Sequence, residues 1–189
     1  MPSPPRRRPR NARSEILDAA QRVVARDGAG RLTLDAVARE AGLTKGGVLY
    51  NFPSKSALLA AMLDRMTRAF VEAVETGARA AAGRPAPTLR GLLEASAALE
   101  REDPEIHLAI LAGVAENPGA LDPLRALAAG MCARIEAETA DPEAAYLILA
   151  AMDGLLFQRM IRMPPDDPAR RKALRARLLA LADTLESRP

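Results

Sequence analysis

The chain has 189 residues, of which 49% are hydrophobic and 27% charged, a balance that fits one or two globular units and excludes a chain disordered throughout. Aromatic residues make up only 3%, and tryptophan is absent, which favours helices over β-sheets. The net charge is +3, but residues 1–70 hold 13 basic and 6 acidic residues, whereas residues 71–189 hold 14 basic and 18 acidic residues. This distribution predicts a basic part that binds a polyanion, joined to a mildly acidic part.

The sequence also argues against a membrane span, a secretory signal, a disulfide and a structural zinc site. The longest apolar run is nine residues, 144–152, well short of the roughly 18 that a membrane span needs. The basic N-terminus lacks the apolar stretch of a secretory signal, so we expect a cytoplasmic protein. A single cysteine, Cys132, and a single histidine, His107, cannot form an intramolecular disulfide or a structural zinc site. We therefore expect no metal, no cofactor and no membrane partner.

The first predicted element is a basic arm. Residues 1–10 contain four prolines and four arginines and no acid, so we expect them to be extended and disordered. Apolar residues at helical spacing then predict a helix over 11–27, which Gly28 ends.

Two short helices and one long helix follow. Thr33 can cap a helix that ends at Gly42, and the next helix runs from Thr44 to about Asn51. Ser54 can cap a long amphipathic helix that reaches about residue 81. We place one domain at 11–70 and a second domain at 71–189.

The second domain is predicted to hold five more helices, separated by proline-containing turns. Proline is favoured in the first turn of a helix, so these turns mark helix starts. The predicted helices span 88–101, 104–116, 122–139, 142–163 and 168–186. The fold class is therefore all-α, with about nine helices and no strand.

Residues 33–52 have the layout of a helix-turn-helix. In this motif two helices cross at a steep angle, so the residue at the crossing must be small and the turn must accept a left-handed conformation. Ala38 and Gly42 meet these demands. The predicted buried contacts come from Val37, Ala41, Leu43 and Val48. An ordinary helix hairpin is the alternative, which the basic arm and flanks disfavour.

These residues resemble the tetracycline-repressor (TetR) family of one-component bacterial regulators. The resemblance runs from Arg13 to Met66 and is densest in segments 16–20, 32–34, 37–38, 40–50 and 52–55. It implies a helix-turn-helix DNA-binding domain followed by a helical ligand-binding and dimerisation domain. Two positions depart from the family pattern: Asn51 stands where histidine is common, and Val24 where an aromatic residue is common.

The helix from Thr44 to Asn51 is short enough to place its N-terminal residues against base edges in a major groove. Lys45 is the candidate for direct readout, since its ammonium can donate to guanine O6 and N7, and a phosphate contact is its competing role. Gly46 and Gly47 let the backbone approach DNA closely, unless they instead accommodate tight packing of the first helix. The other expected DNA contacts are the hydroxyls of Thr33, Thr44 and Tyr50, the side chain of Asn51 and the charge of Lys55.

The basic arm has two possible roles. Its arginines could enter an adjacent minor groove, or the arm could be a solvated tail that adds only non-specific attraction to DNA.

The last two helices carry the expected dimer face. Leu174, Leu178, Leu181 and Leu185 are spaced four, three and four apart, and the preceding helix is apolar over much of its circumference. The resemblance implies that these helices form a four-helix bundle with a second subunit. The predicted dimerisation residues are Met152, Leu156, Arg159, Leu174, Leu178, Leu181 and Leu185. The alternative is that the leucines pack only within their own subunit.

The resemblance also implies a small-molecule pocket between residues 88 and 163. Apolar walls rich in methionine and poor in aromatic residues would suit an apolar or adaptable ligand, although the same residues could be ordinary core. The predicted lining residues are Leu93, His107, Leu111, Met131, Ile135, Asp153 and Phe157.

The sequence therefore predicts a homodimeric transcriptional regulator, a repressor that binds a palindromic double-stranded DNA operator and is released by a small-molecule effector of unknown identity. The alternative is a ligand-independent or architectural DNA-binding protein. An enzyme is not expected, because no nucleophile with a base, paired carboxylates or phosphate loop stands out.

Overall fold

The structure is a computed structural model that describes residues 12–115, 118–164 and 167–187. Across these ranges the chain forms nine α-helices, two short 3-10 helices and no strand, which confirms the predicted all-α class. The predicted basic arm, residues 1–10, lies outside the described residues. No helix within the described ranges is both long and apolar enough to span a membrane.

The helices begin close to the predicted positions. Proline occupies the first turn of five of them, as predicted from the proline-containing turns. In chain order the helices are α1 Ala12–Asp27, α2 Leu34–Ala41, α3 Lys45–Asn51, α4 Lys55–Ala80, α5 Pro87–Leu99, α6 Pro104–Ala115, α7 Asp122–Glu138, α8 Pro142–Met160 and α9 Pro168–Ala182.

The last two helices end earlier than predicted. Beyond α8, Arg162 adopts a left-handed backbone conformation with φ of 53°, which a helix cannot continue through. Beyond α9, the carbonyl of Glu186 accepts hydrogen bonds from the amide of Ala140 at 2.9 Å and from the hydroxyl of Thr139 at 3.0 Å. The C-terminal segment therefore leaves the helix to pair with the loop after α7, and Leu185 is not a helical residue.

The chain divides into two compact units, and the division falls inside α4. The N-terminal unit comprises the residues up to Asp64 together with 105–118, and the C-terminal unit comprises 65–104 and the residues from Gly119 onward. This differs from the single boundary expected at residue 70, because α6 groups with the N-terminal unit.

The N-terminal unit is built on α1, α2 and α3 and on the first part of α4. Helix α6 packs closely against α4 at Gly113. A Cβ on this glycine would lie 2.3 Å from Cδ1 of Leu59. The largest side chains that are fully buried in this core are Ile16, Val23, Val24, Leu32, Val37, Val48, Phe52, Leu58 and Met62.

The C-terminal unit depends on direct backbone contact between α4 and α5. A Cβ on Gly91 would lie 2.3 Å from the carbonyl oxygen of Val74, and one on Gly77 would lie 2.9 Å from the Cα of Gly91. The two helix backbones can approach this closely because glycine, which has no Cβ, stands at both positions. Around the crossing lies a core that includes Leu89, Leu92, Leu93, Met131, Ile135, Ile148, Met152, Leu178 and Leu185.

Polar contacts between distant residues hold the ends of α5 and α9. The carboxylate of Glu138 accepts hydrogen bonds from the amide and hydroxyl of Thr88 at 2.8 and 2.6 Å, which satisfies the N-terminal turn of α5. The buried guanidinium of Arg90 pairs with Asp183 at 2.5 Å, and the same carboxylate pairs with Arg84 at 2.6 Å.

Substitution of Gly91 tests the backbone crossing. We expect Gly91→Ala to lower the free energy of unfolding by about 1–3 kcal/mol or more, because the added methyl group meets backbone atoms that cannot rotate away. Gly130→Ala in α7 is the matched control, since nothing lies within 4 Å of its Cβ position, and it should be neutral or stabilising by up to about 1 kcal/mol. Urea unfolding measures both, and equal stabilities for Gly91→Ala and the wild type would contradict the crossing.

Candidate nucleic-acid interface

The turn between α2 and α3 has the geometry that a helix-turn-helix requires. Gly42 ends α2 in the left-handed conformation, with φ of 66° and ψ of 30°. The amide of Leu43 donates to the carbonyl of Ala38 at 2.9 Å, and Ala38 is buried. The small residue and the left-handed glycine predicted for this crossing are therefore confirmed.

A threonine caps the N-terminus of each helix of the motif. The hydroxyl oxygen of Thr33 accepts from the amide of Ala36 at 3.1 Å, and that of Thr44 accepts from the amide of Gly47 at 3.1 Å. A hydroxyl has one proton to donate in addition to its acceptor lone pairs. Each capping threonine can therefore still donate a hydrogen bond to a phosphate.

The outward surface of α3 is almost bare at its N-terminal turn. A Cβ on Gly46 would come no closer than 4.0 Å to any neighbour, and one on Gly47 would reach only the Thr44 hydroxyl, at 3.4 Å. Neither glycine packs against α1, so the tight-packing alternative has no support. One turn further along, Leu49 and Tyr50 are exposed, and Tyr50 exposes 91% of its surface.

Lys45 and Lys55 are both exposed at helix starts. The ammonium of Lys45 pairs with the carboxylate of Asp35 at 2.9 Å. Lys55 is the first residue of α4, where the amide of Ala57 donates to the hydroxyl of Ser54 at 3.0 Å. The predicted cap of the long helix is therefore present.

The end of α3 is fixed by contacts inside the protein. Phe52 is buried with the guanidinium of Arg13 over its ring, 4.5 Å from the centroid, so it packs beneath the motif. The amide nitrogen of Asn51 donates to the carbonyl of Gly47 at 2.9 Å. The same side-chain amide keeps a second N–H and its carbonyl oxygen for a contact with DNA.

A charge cluster that sequence reasoning missed joins α1 to α2. Glu40 accepts from Arg22 at 2.8 Å through one carboxylate oxygen and from Arg26 at 2.7 Å through the other. These two donors hold the pKa of Glu40 below its ordinary value of 4.5. Arg22 and Arg26 are four residues apart, so the sequence places them on one face of α1. It does not show that Glu40 lies opposite that face.

The residues predicted to line a ligand pocket are distributed over both compact units. His107 and Leu111 belong to the N-terminal unit, and the other five belong to the C-terminal unit. Of those five, Leu93, Met131 and Ile135 are core residues, whereas Phe157 and Asp153 are exposed. Partial desolvation raises the pKa of the Asp153 carboxyl.

The structure divides the predicted dimerisation residues into three groups. Met152, Leu178 and Leu185 lie in the core of their own chain, because α5, α8 and α9 pack together in the C-terminal unit. Leu181 is 42% exposed. Leu156, Arg159 and Leu174 are half-buried, and Arg159 donates to the carbonyl of Glu102. The more exposed large apolar side chains on α8, which the sequence analysis did not assign to a dimer face, are Leu147 at 73% and Phe157 at 54%.

Among the residues that the structure describes, no group of three or more His, Cys, Asp or Glu side chains could hold a metal ion. The arrangement of the N-terminal unit instead offers an exposed helix start with few side chains, two capping hydroxyls and two lysines. This combination suits contact with a duplex through phosphates and base edges.

Two family models match the chain. A model described as bacterial regulatory proteins of the tetR family matches residues 16–62, which include the helix-turn-helix. A model described as the C-terminal domain of tetracyclin repressor-like proteins matches residues 86–183.

Individual proteins are similar to the chain over different lengths. The HTH-type transcriptional regulator TtgR from Pseudomonas putida is 37% identical over 54 residues, which are 29% of this chain and 26% of that protein. The matched stretch thus spans about a quarter of that relative. The crystal structure of the multidrug binding protein EbrR complexed with imidazole is 28% identical, covers 89% of this chain and 93% of its own, and has a TM-score of 0.63. A TetR transcription regulator from Haloarcula marismortui shares the fold with a TM-score of 0.71, at 21% identity over 95% of this chain and 100% of its own.

The Glu40 cluster predicts how stability depends on pH. Because the folded-state pKa of Glu40 lies below the unfolded value, its stabilising effect is fully present above about pH 4.5 and is lost as pH falls through the folded-state pKa. We expect Glu40→Gln to be less stable than the wild type at pH 7 and the difference to shrink as the pH is lowered below 4.5. Denaturant unfolding between pH 7 and pH 3 measures this, with Glu143→Gln in α8 as the charge-matched control. A stability difference that stays constant with pH would contradict the role given to Glu40.

Proposed function

Because the chain belongs to the tetracycline-repressor (TetR) family of bacterial regulators and is a DNA-binding transcriptional regulator, we propose that it is a homodimeric repressor of a palindromic operator, released by a small-molecule effector. The observation that carries the DNA-binding part is the exposed, threonine-capped start of α3 with two glycines in its first turn. The repressor would act in the cytoplasm, where operator DNA is accessible to it.

The proposed DNA contacts follow from the exposed surface of the motif. The first turn of α3 would enter the major groove, where the absence of side chains at Gly46 and Gly47 lets the backbone come close to the bases. The hydroxyls of Thr33, Thr44 and Tyr50 and the charge of Lys55 would contact phosphates on either side of the groove.

Dimerisation would supply the specificity that one seven-residue helix lacks. One α3 spans only a few base pairs, whereas two related by a twofold axis read both halves of a palindrome. We propose that the second copy covers the exposed apolar side chains of α8 and α9, namely Leu147, Phe157 and Leu181. Their exposure would be unfavourable in an isolated subunit, which supports a partner on this face.

The effector role is supported by the relatives. EbrR is described as a multidrug binding protein, and its crystal structures hold imidazole in one case and malachite green in another. In the present chain, α4 contributes residues to both compact units, so an effector bound in the C-terminal unit could shift the population of DNA-binding conformers through this helix.

Selection of binding sites from random duplexes tests the proposal. The purified chain should enrich an inverted repeat whose half-sites lie about 10 base pairs apart, because two recognition helices enter successive major grooves on one face of the duplex. Enrichment of no sequence, with binding to every duplex alike, would instead indicate an architectural DNA-binding protein.

A compound library screened against the recovered operator tests the effector. A true effector should weaken operator binding, and the operator should weaken binding of that compound by the same factor, because coupling between two sites is reciprocal. Compounds that bind tightly without changing operator affinity would contradict release by an effector.

A further inference from the structure

The starts of α2 and α3 present an ion pair side by side on the surface of the helix-turn-helix. Asp35 is the second residue of α2, and Lys45 is the first residue of α3. Nζ of Lys45 lies 2.9 Å from Oδ2 of Asp35, and each side chain is 59% exposed. A pair as exposed as this contributes little to stability.

A carboxylate is out of place on a surface that approaches DNA. Phosphates repel it, and the rest of this surface offers hydroxyls, lysines and bare backbone. A carboxylate gains from contact with a duplex only where it meets a hydrogen-bond donor. The major groove has two such donors, the exocyclic amines of cytosine and adenine.

The spacing of the ion pair matches the edge of a G·C pair. Guanine O6 accepts, cytosine N4 donates, and the two are hydrogen-bonded to each other, so they lie about 2.9 Å apart. The protein pair has the same spacing with the opposite polarity. With adenine facing Lys45, an A·T pair reverses the pattern, because its amine would face the ammonium and its carbonyl would face the carboxylate. With thymine facing Lys45 the polarity is kept, but thymine has a methyl group and lacks the second acceptor, N7, that guanine offers the ammonium.

We propose that Asp35 is a specificity-determining residue that reads cytosine: its carboxylate accepts from the outward N–H of cytosine N4 while Lys45 donates to O6 of the paired guanine. The two side chains thus read one G·C pair together in each half-site. This inference rests on the proposed function above, in which the start of α3 enters the major groove.

N4-methylation of cytosine isolates this contact. The methyl group replaces the outward N–H and leaves the Watson–Crick bond intact, whereas 5-methylcytosine keeps the N–H and serves as the control base. Each cytosine of the recovered operator is modified in turn, and affinity is measured by fluorescence anisotropy. N4-methylation of one cytosine in each half-site should lower the affinity of the wild type for the operator about 5- to 150-fold, whereas 5-methylation of the same cytosine should not.

Substitution of Asp35 then assigns the contact to this side chain. Asp35→Ala should abolish the difference between cytosine and N4-methylcytosine without weakening binding to random duplexes, since it removes a charge that phosphates repel. Asp27→Ala is the matched control, because Asp27 is an exposed acid of the same unit that pairs with Arg26 instead, and it should keep the wild-type difference. Should Asp35→Ala fail to fold, Asp35→Asn replaces it and should tolerate A·T at the same position, since an amide both donates and accepts.

The outcomes separate this inference from the proposed function. A wild type that enriches no operator overturns both. A wild type that enriches a palindrome but ignores N4-methylation at every cytosine overturns only the role of Asp35. So does an Asp35→Ala variant that keeps the wild-type sensitivity.

Discussion

The crossing of α2 and α3 is the constraint on which the DNA-binding surface depends. Helix α3 has seven residues and two glycines, so it would not form in isolation. It is held by the Thr44 cap, by the left-handed turn at Gly42 and by burial of Val48. Because these contacts lie on the inner side and at the start of the helix, its outward face needs no side chains for stability and is available for DNA.

Charged residues of the N-terminal unit serve packing as well as attraction to DNA. Glu40 joins α1 to α2 through two arginines, and Asp35 holds Lys45 at the start of α3. The excess of basic residues in the first third of the sequence therefore does not act as one uniform field. Part of it is neutralised locally by these two carboxylates.

The features predicted well from the sequence are those that local chemistry decides. Threonine caps, prolines in first turns and a left-handed glycine each act within four residues, and the structure has them where expected. Long-range features were not predictable in this way. An apolar stripe on α9 has the same spacing whether it meets its own core or a second copy, and Leu178 meets its own core. Likewise, Glu138 contacts Thr88 from 50 residues away, and Gly91 shows its role only where α4 crosses α5.

Gly46→Leu tests most directly whether the glycine-containing first turn of α3 lies against the bases of the operator. Leucine is the better helix former and its Cβ meets nothing closer than 4.0 Å in the protein, so the variant should melt at or above the wild-type temperature. Its affinity for the selected operator should nevertheless fall about tenfold or more, because at least one base contact is lost in each half-site. The control variant Gly130→Leu in α7 should bind the operator with wild-type affinity. Wild-type operator affinity in a folded Gly46→Leu variant would contradict contact between this turn and the bases.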